Sequence, residues 1–446
     1  MIPMELVFLI GIAVLLFLCV KLKINAFISL LAAALVIGLL SGLSGPDTID
    51  AITTGFSKTV KSIGIVIIFG IMLGNYLDES KGTNRMALDA VNLVGEKRAP
   101  LAMAITGYIV SIPVFSDAAF VILTPLVKAI NKKTRIPLAI LAVSLSAGLL
   151  ATHVFVPPTP GPLAAAGLLG IDIGRAIIYG AFGALFMTAA GWIFAEIYFK
   201  NKPDSYYSFA EKNENEEIEE VSEIDYSELP KLFNSIIPLI VPIFLIILNT
   251  TCKMIFPEES TVVQITSFIG DANIALAIGF VLAVLTLSKK VGSKKTLSVM
   301  DKSLADAGSI VFITSAGGAL GEVIKVSGAG EHLANMVLNT GLPFILIPFV
   351  ISGLLKVVQG SGTVAVTTAA TLCAPIASSL GLDPILIFLA SGAGARLCCH
   401  VNDSYFWVYT NCMGYDMKTG LKTLSVSNLF MSLGGLLATF ICSLWV

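Results

Sequence analysis

Eight stretches of the 446-residue chain, 4–20, 24–43, 62–78, 175–199, 232–254, 271–288, 308–326 and 423–446, are apolar over about the 20 residues a helix needs to cross a bilayer. A chain with that many such runs folds with lipid as its main solvent. The charge content agrees: 13% of residues are Asp, Glu, Lys or Arg, against roughly 25% in soluble domains. Soluble-enzyme, nucleic-acid-binding and disulfide-scaffold classes are thereby excluded. The net charge of −2 supplies no basic block for phosphate backbones. The seven cysteines are odd in number and lie in or beside apolar runs, so they read as small buried hydrophobes. Residues 1–20 show no positive leader and no small-residue cleavage site, and are read as a retained first span.

Four further apolar regions are interrupted. Residues 100–130 and 343–380 are too long for one crossing and carry polar midpoints, Ser111 to Asp117 and Gln359 to Thr363. Each is read as a re-entrant hairpin that turns at mid-depth. Residues 137–170 break at His153 to Pro162, where Pro157, Pro158, Pro160 and Pro162 cannot continue a helix, and residues 384–412 break at His400 to Ser404. Non-helical backbone at membrane depth persists only when it is buried in protein or lines a cavity, so these four interruptions point to a site.

The cations test this topology. With hairpins counted as non-crossing, loops 21–23, 79–99, 128–136, 200–231, 288–302 and 413–422 hold 21 of the 28 Lys and Arg residues. Lys58, Lys61, Arg175, Lys253 and Lys325 fall on the opposite side, and Lys356 and Arg396 fall inside apolar segments. The positive-inside rule makes the first set cytoplasmic and puts both termini outside. Residues 200–231 form an acidic cytoplasmic linker, with ten acids and one Lys between Asp204 and Glu228. It separates an N-terminal unit, 1–199, from a C-terminal unit, 232–446. Gly70, Gly74, Ser80, Pro137, Leu150 and His153-Val154 recur 247 residues later as Gly317, Gly321, Ser327, Pro384, Leu397 and His400-Val401. Each unit runs helix, amphipathic stretch, helix, hairpin, broken helix, helix. An odd number of crossings between equivalent points inverts one unit against the other. The fold class read from this is an all-α polytopic membrane protein of two inverted-topology repeats, the architecture of secondary transporters.

Asp117 follows a proline-containing break in hydrocarbon, where an isolated charge costs several kcal/mol. It is read as a proton carrier or as a cap on the returning helix. His153 and His400 share one repeat register and are read as substrate hydrogen-bonding or proton-relay groups. Ser361, Gly362 and Thr363 at the second tip offer hydroxyls and free N–H groups to a carboxylate, or cap a tight turn. Asn402 and Ser404 offer an amide and a hydroxyl. Asp403 is a second proton-coupling candidate, or caps the following half-helix. Lys356 and Arg396 are charge partners, for a substrate carboxylate or for an acid such as Asp117; snorkelling or structural pairing is the alternative. Cys398-Cys399-His400 is not read as a metal site, because adjacent helical residues diverge and no second Cys/His cluster exists. No cofactor is expected. An intramembrane hydrolase lacks an activated nucleophile, and a channel fits two opposed hairpins less well than alternating access does.

The chain resembles the gluconate permease family within the ion transporter superfamily. The resemblance is carried by His153 to Pro162, by Gly360-Ser361-Gly362-Thr363-Val364-Ala365 with Ala374-Pro375, and by Gly392-Ala393-Gly394 leading to His400-Val401-Asn402-Asp403-Ser404-Tyr405-Phe406-Trp407. It implies proton-coupled uptake of small hydroxy acids such as gluconate, with glycerate and D-serine as substrates of some members. It also implies a homodimer in the cell membrane that works by an elevator movement of the hairpin-bearing core. Sodium is the alternative coupling ion. The chain departs from the family pattern at Ser116-Asp117, Thr159, Arg396 and Cys398-Cys399. Ser116 and Thr159 thus join the candidate substrate-binding set, and the departures bear on which carboxylate is carried. Gly161 belongs to that set as the tight turn of a segment that Pro157, Pro158, Pro160 and Pro162 are read to hold extended.

Overall fold

The computed structural model describes residues 3–22, 24–86, 89, 98–112, 115–202, 206–207, 229–257, 259–328, 343–380, 382–400 and 403–446. Seven helices among them are long and apolar enough to cross a membrane. The N-terminal unit begins with α1 (Met4–Leu16), α2 (Ala26–Leu40) and α3 (Gly45–Glu79). Then come α4 (Ala99–Val110), α5 (Ser116–Thr134), α6 (Leu138–Phe155), α7 (Pro160–Leu169) and α8 (Ile173–Phe199). The C-terminal unit holds α9 (Leu232–Ile255), α10 (Thr261–Ile269), α11 (Ala272–Val291), α12 (Ser293–Val326), α13 (Leu346–Gln359), α14 (Gly362–Leu380), α15 (Pro384–Gly394) and α16 (Ser404–Met413). It ends with α17 (Met417–Cys442), which contains one π-helical turn.

Local chemistry sets these boundaries. Ser44 accepts from the Asp47 amide and Pro46 occupies the first turn, so α3 starts cleanly. Asp172, Asp271, Asp383 and Asp403 cap α8, α11, α15 and α16 in the same way. Two amphipathic stretches expected to stand apart from the spans at 62–78 and 308–326 are instead continuous with them. No proline interrupts residues 47–79 or 293–326, and α3 and α12 run 35 and 34 residues. At about 1.5 Å per residue each is roughly 50 Å long, more than a bilayer's hydrocarbon thickness.

α3 and α12 cross each other with backbones nearly touching. A Cβ on Gly55 would lie 2.3 Å from the Gly318 carbonyl oxygen, so only glycine fits there. Lys58 and Glu322 pair at 2.8 Å near one end of this crossing. Toward the other end Asn75 donates to Ser303 at 3.0 Å, the Tyr76 and Thr296 hydroxyls meet at 3.1 Å, and Lys295 pairs with Glu79. The apolar interior divides accordingly. One continuous core joins α4–α8 with α13–α17, while α3 and α12 build separate cores with α11 on one side and α1 and α2 on the other. α6 and α7 sit at the centre, with 94% of their most apolar window buried. Large apolar side chains such as Ile197, Phe233 and Leu285 are exposed on the outer faces of α8, α9 and α11, as expected of surfaces that meet lipid.

α4 has 12 residues and α13 has 14, about 18–21 Å of helix, too short for a full crossing. Each is followed by a brief non-helical segment and a 19-residue helix, α5 or α14. Gly360 makes the second of these turns. It adopts φ +78°, and its amide donates to the Lys356 carbonyl, which ends α13.

Candidate functional site

The two turns and the two helix breaks contact one another in a closed ring. At the first turn the Phe115 ring lies 6.0 Å from the His153 ring at the end of α6. Beyond that break, a Cβ on Gly161 in the first turn of α7 would sit 3.4 Å from the Thr363 Cα. That is close enough to bring the backbones at the starts of α7 and α14 together. At the second turn, a Cβ on Gly362 would lie 3.0 Å from an Arg396 guanidinium nitrogen and 3.5 Å from Val154. The ring closes where Ser404, first residue of α16, donates to the Asp117 carboxylate at 2.8 Å. Thus α5 starts beside α16, and α14 starts beside α7. Four helix N-termini converge in two pairs, each pair drawn from both halves of the chain. Helix N-termini carry unsatisfied N–H groups and partial positive charge.

The charged part of the ring is the second break, whose described residues are 395–400 and 403. Lys356, 1% exposed, donates to the Asp403 carboxylate and to the Gly360 carbonyl. Arg396 approaches the same carboxylate oxygen at 3.9 Å. The Cys399 thiol donates to it at 2.9 Å, and the other Asp403 oxygen accepts the Tyr405 amide at 3.0 Å. Asp403 therefore caps α16 and balances a buried cation at once. Two cations face this one anion, so the cluster holds an excess positive charge. Such a cluster is costly unless its partners are complete. Yet the Arg396 Nε and the His153 Nδ1 are buried with no hydrogen-bond partner among the described residues. Buried polar atoms are nearly always satisfied, so two orphans at one ring of contacts mark the place a polar ligand would fill.

The other candidates fall around this ring with unequal roles. Asp117 lies in the first turn of α5, where Phe115 holds the cap position; its partners are Ser404 and, at 3.3 Å, the Ser116 hydroxyl. Ser361 accepts the Val364 amide at 3.3 Å and so caps α14. Thr363 is in the first turn of α14. Thr159 is buried at the N-cap of α7, and its hydroxyl donates to the Val156 carbonyl at 2.6 Å. His400 Nε2 bonds the Val357 carbonyl at 2.8 Å, which ties the second break to α13. Asn402 lies outside the described residues, as does His332. His153 and His400 share a register but not a geometry. Helix α6 continues through His153 to Phe155, whereas α15 ends at Gly394 and leaves His400 in non-helical chain. Pro160 and Pro162 do not hold an extended segment either; they occupy the first turn of α7, where a missing N–H costs nothing. Lys356 pairs with Asp403 rather than Asp117. Sequence reasoning gave Cys399 no role, and its only signal was adjacency to Arg396 and His400.

Comparison with known proteins agrees with this architecture. The profile described as GntP family permease matches residues 4–445. An uncharacterized permease of Haemophilus influenzae is 39% identical, with 96% of this chain and 90% of that protein aligned. The Gnt-II system L-idonate transporter of Escherichia coli is 30% identical over 96% of both chains. The high-affinity gluconate transporter of the same organism is 30% identical over 98% of both. The crystal structure of the Alcanivorax borkumensis YdaH transporter, reported for its unusual topology, shares the fold. Its TM-score is 0.64 at 16% identity, covering 94% of this chain and 97% of that one. A polytopic helical membrane protein with this ring at its centre and a family match over nearly its whole length is a permease rather than an enzyme, and it belongs to the GntP permease family.

Proposed function

We propose that this permease carries a small hydroxy-carboxylate, gluconate or a close sugar acid, across the cell membrane in symport with protons. The observation that carries the reading is the ring itself. It joins both halves, presents four helix N-termini, and at the second break sets two cations against one carboxylate, with the Arg396 Nε unpartnered among the described residues. A carboxylate would accept from Arg396 and the N-termini of α7 and α14, and sugar hydroxyls would meet His153, Thr363 and Ser404. The relatives named as gluconate and L-idonate transporters support this substrate class.

Asp117 is the coupling group in this proposal. Among the described residues its hydrogen-bond partners are the Ser404 and Ser116 hydroxyls and it has no ion pair, so no cation competes with a proton for it. Asp403, held by Lys356, is committed to structure. The two hairpins and two broken helices would move as one body against α3 and α12. The shared core of α4–α8 and α13–α17, distinct from those of α3 and α12, fits such a division. Residues 128–136 and 288–302 face the cytoplasm in this reading, and the protein works as a homodimer.

The test is uptake of radiolabelled gluconate into proteoliposomes under imposed proton or sodium gradients. Accumulation driven by protons alone is expected. Asp117→Asn should abolish accumulation while sparing exchange at equal concentrations. Accumulation by that variant would place the carrier elsewhere, and accumulation that needs sodium would replace the proton.

A further inference from the structure

A cavity of about 690 Å³ lies away from the ring, between α3 and α12 on one side and α7 and α14 on the other. That size falls within the roughly 300–1,000 Å³ of small-molecule sites. Its floor includes Thr371 of α14 and Gly167 of α7. These residues lie about 12 Å and 9 Å along their helices from Thr363 and Gly161. The cavity and one side of the ring therefore share the α7–α14 seam.

The charges on its wall are Lys58, Glu322 and Lys325. Lys58 and Glu322 neutralise each other at 2.8 Å. Lys325, exposed in the last turn of α12, has no ion-pair partner among the described residues, so the cavity wall carries one net positive charge. A net charge on the wall of a cleft raises the local concentration of counter-ions. The carbonyls of Ala166 and Gly167 at the end of α7 accept the amides of Ile171 and Gly170. Acceptors for hydroxyl groups are present as well. Pro375 has no N–H to give the Thr371 carbonyl, whose oxygen would lie 3.9 Å from a Cβ on Gly321 of the opposite wall.

We propose that this cavity is a loading site for a small hydroxy-carboxylate, in which Lys325 holds the carboxylate before it passes to the ring. The loading role rests on the transport reading above; the anion site does not. On the charge-derived topology the cavity opens to the outside, since Lys58 and Lys325 belong to the external set.

The anion site is tested by labelling Ser62→Cys, at the cavity wall, with anionic sulfonatoethyl and cationic trimethylammonium-ethyl methanethiosulfonates. Each rate is normalised to that of a free thiol, and the otherwise unchanged chain gives the background. The anionic reagent should react about tenfold faster. Adding Lys325→Gln should remove that preference, and adding Glu322→Gln, which frees Lys58, should increase it. Equal rates, or a preference that survives Lys325→Gln, would overturn the site. For the loading role, Lys325→Gln should raise the KM for gluconate uptake from that face about fivefold, with Vmax and detergent-phase affinity unchanged. An unchanged KM, or a loss of Vmax alone, would overturn it. If the unchanged protein carries no gluconate, the transport reading fails, and the labelling ratio still decides whether the cavity binds anions.

Discussion

The first helix break, between α6 and α7, is short and uncharged, while the second, between α15 and α16, contains Arg396 and Asp403 and receives Lys356 from α13. Equivalent places in the two units have thus been filled with different chemistry. The first break delivers backbone: Pro160 starts α7 and Gly161 lets it approach Thr363. The second delivers charge, and uses Asp403 both to cap α16 and to hold the cations. The difference teaches that two helix breaks at similar points in the helix order can serve by different means, one by shape and the other by electrostatics. Four substitutions probe that division.

The largest expected effect is on stability. Lys356→Ala leaves Asp403 buried beside one distant guanidinium, and breaking a buried pair typically costs about 3–5 kcal/mol. Unfolding in detergent should register a loss of that order. Lys356→Met combined with Asp403→Asn should recover most of it, because Asn still caps α16. A single variant as stable as the unchanged protein would remove the electrostatic role of the second break. Next, Gly161→Leu forces a side chain between α7 and α14 at a contact that admits little more than a methyl group. Overpacking of this kind costs roughly 1–3 kcal/mol, and gluconate uptake should fall about tenfold or more. Normal uptake would deny that the first break is a shaped surface.

The sequence alone made the four interruptions legible. Proline runs, Gly-Ser-Gly, and isolated polar residues in apolar stretches are local signals, and the structure puts turns or breaks at each of them. It could not show which charges meet. Lys356 and Asp403 are 47 residues apart and Ser404 and Asp117 are 287 apart, separations set by helix packing and not by any local pattern. The matched register of His153 and His400 misled for a related reason. Helix α6 is enclosed on all sides and continues past its histidine, whereas α15 ends at Gly394, before its histidine is reached. The amphipathic starts of α3 and α12 read as separate stretches because polarity changes along them, although nothing in the chain breaks the helix.

Two smaller effects sharpen the comparison. Ser404→Ala removes the donor to Asp117 at an exposed point of the ring. A net hydrogen bond of about 0.5–1.5 kcal/mol predicts a two- to tenfold loss of gluconate affinity by equilibrium binding. Ser361→Ala removes a helix cap and should cost about 1 kcal/mol of stability, read from the unfolding midpoint, with affinity changed less than by Ser404→Ala. A larger affinity loss at Ser361 would mean that its hydroxyl meets the substrate directly.

The central claim is that the excess cation at the second break receives the substrate carboxylate. Calorimetric titration of gluconate into purified Arg396→Gln tests it most directly. The substitution leaves the Lys356–Asp403 pair and the cap of α16 in place, so yield and unfolding midpoint should stay near those of the unchanged protein. Losing a charge-assisted hydrogen bond of about 1.5–3 kcal/mol predicts a ten- to hundredfold weaker Kd. An unaltered Kd in a well-folded Arg396→Gln protein would contradict the account.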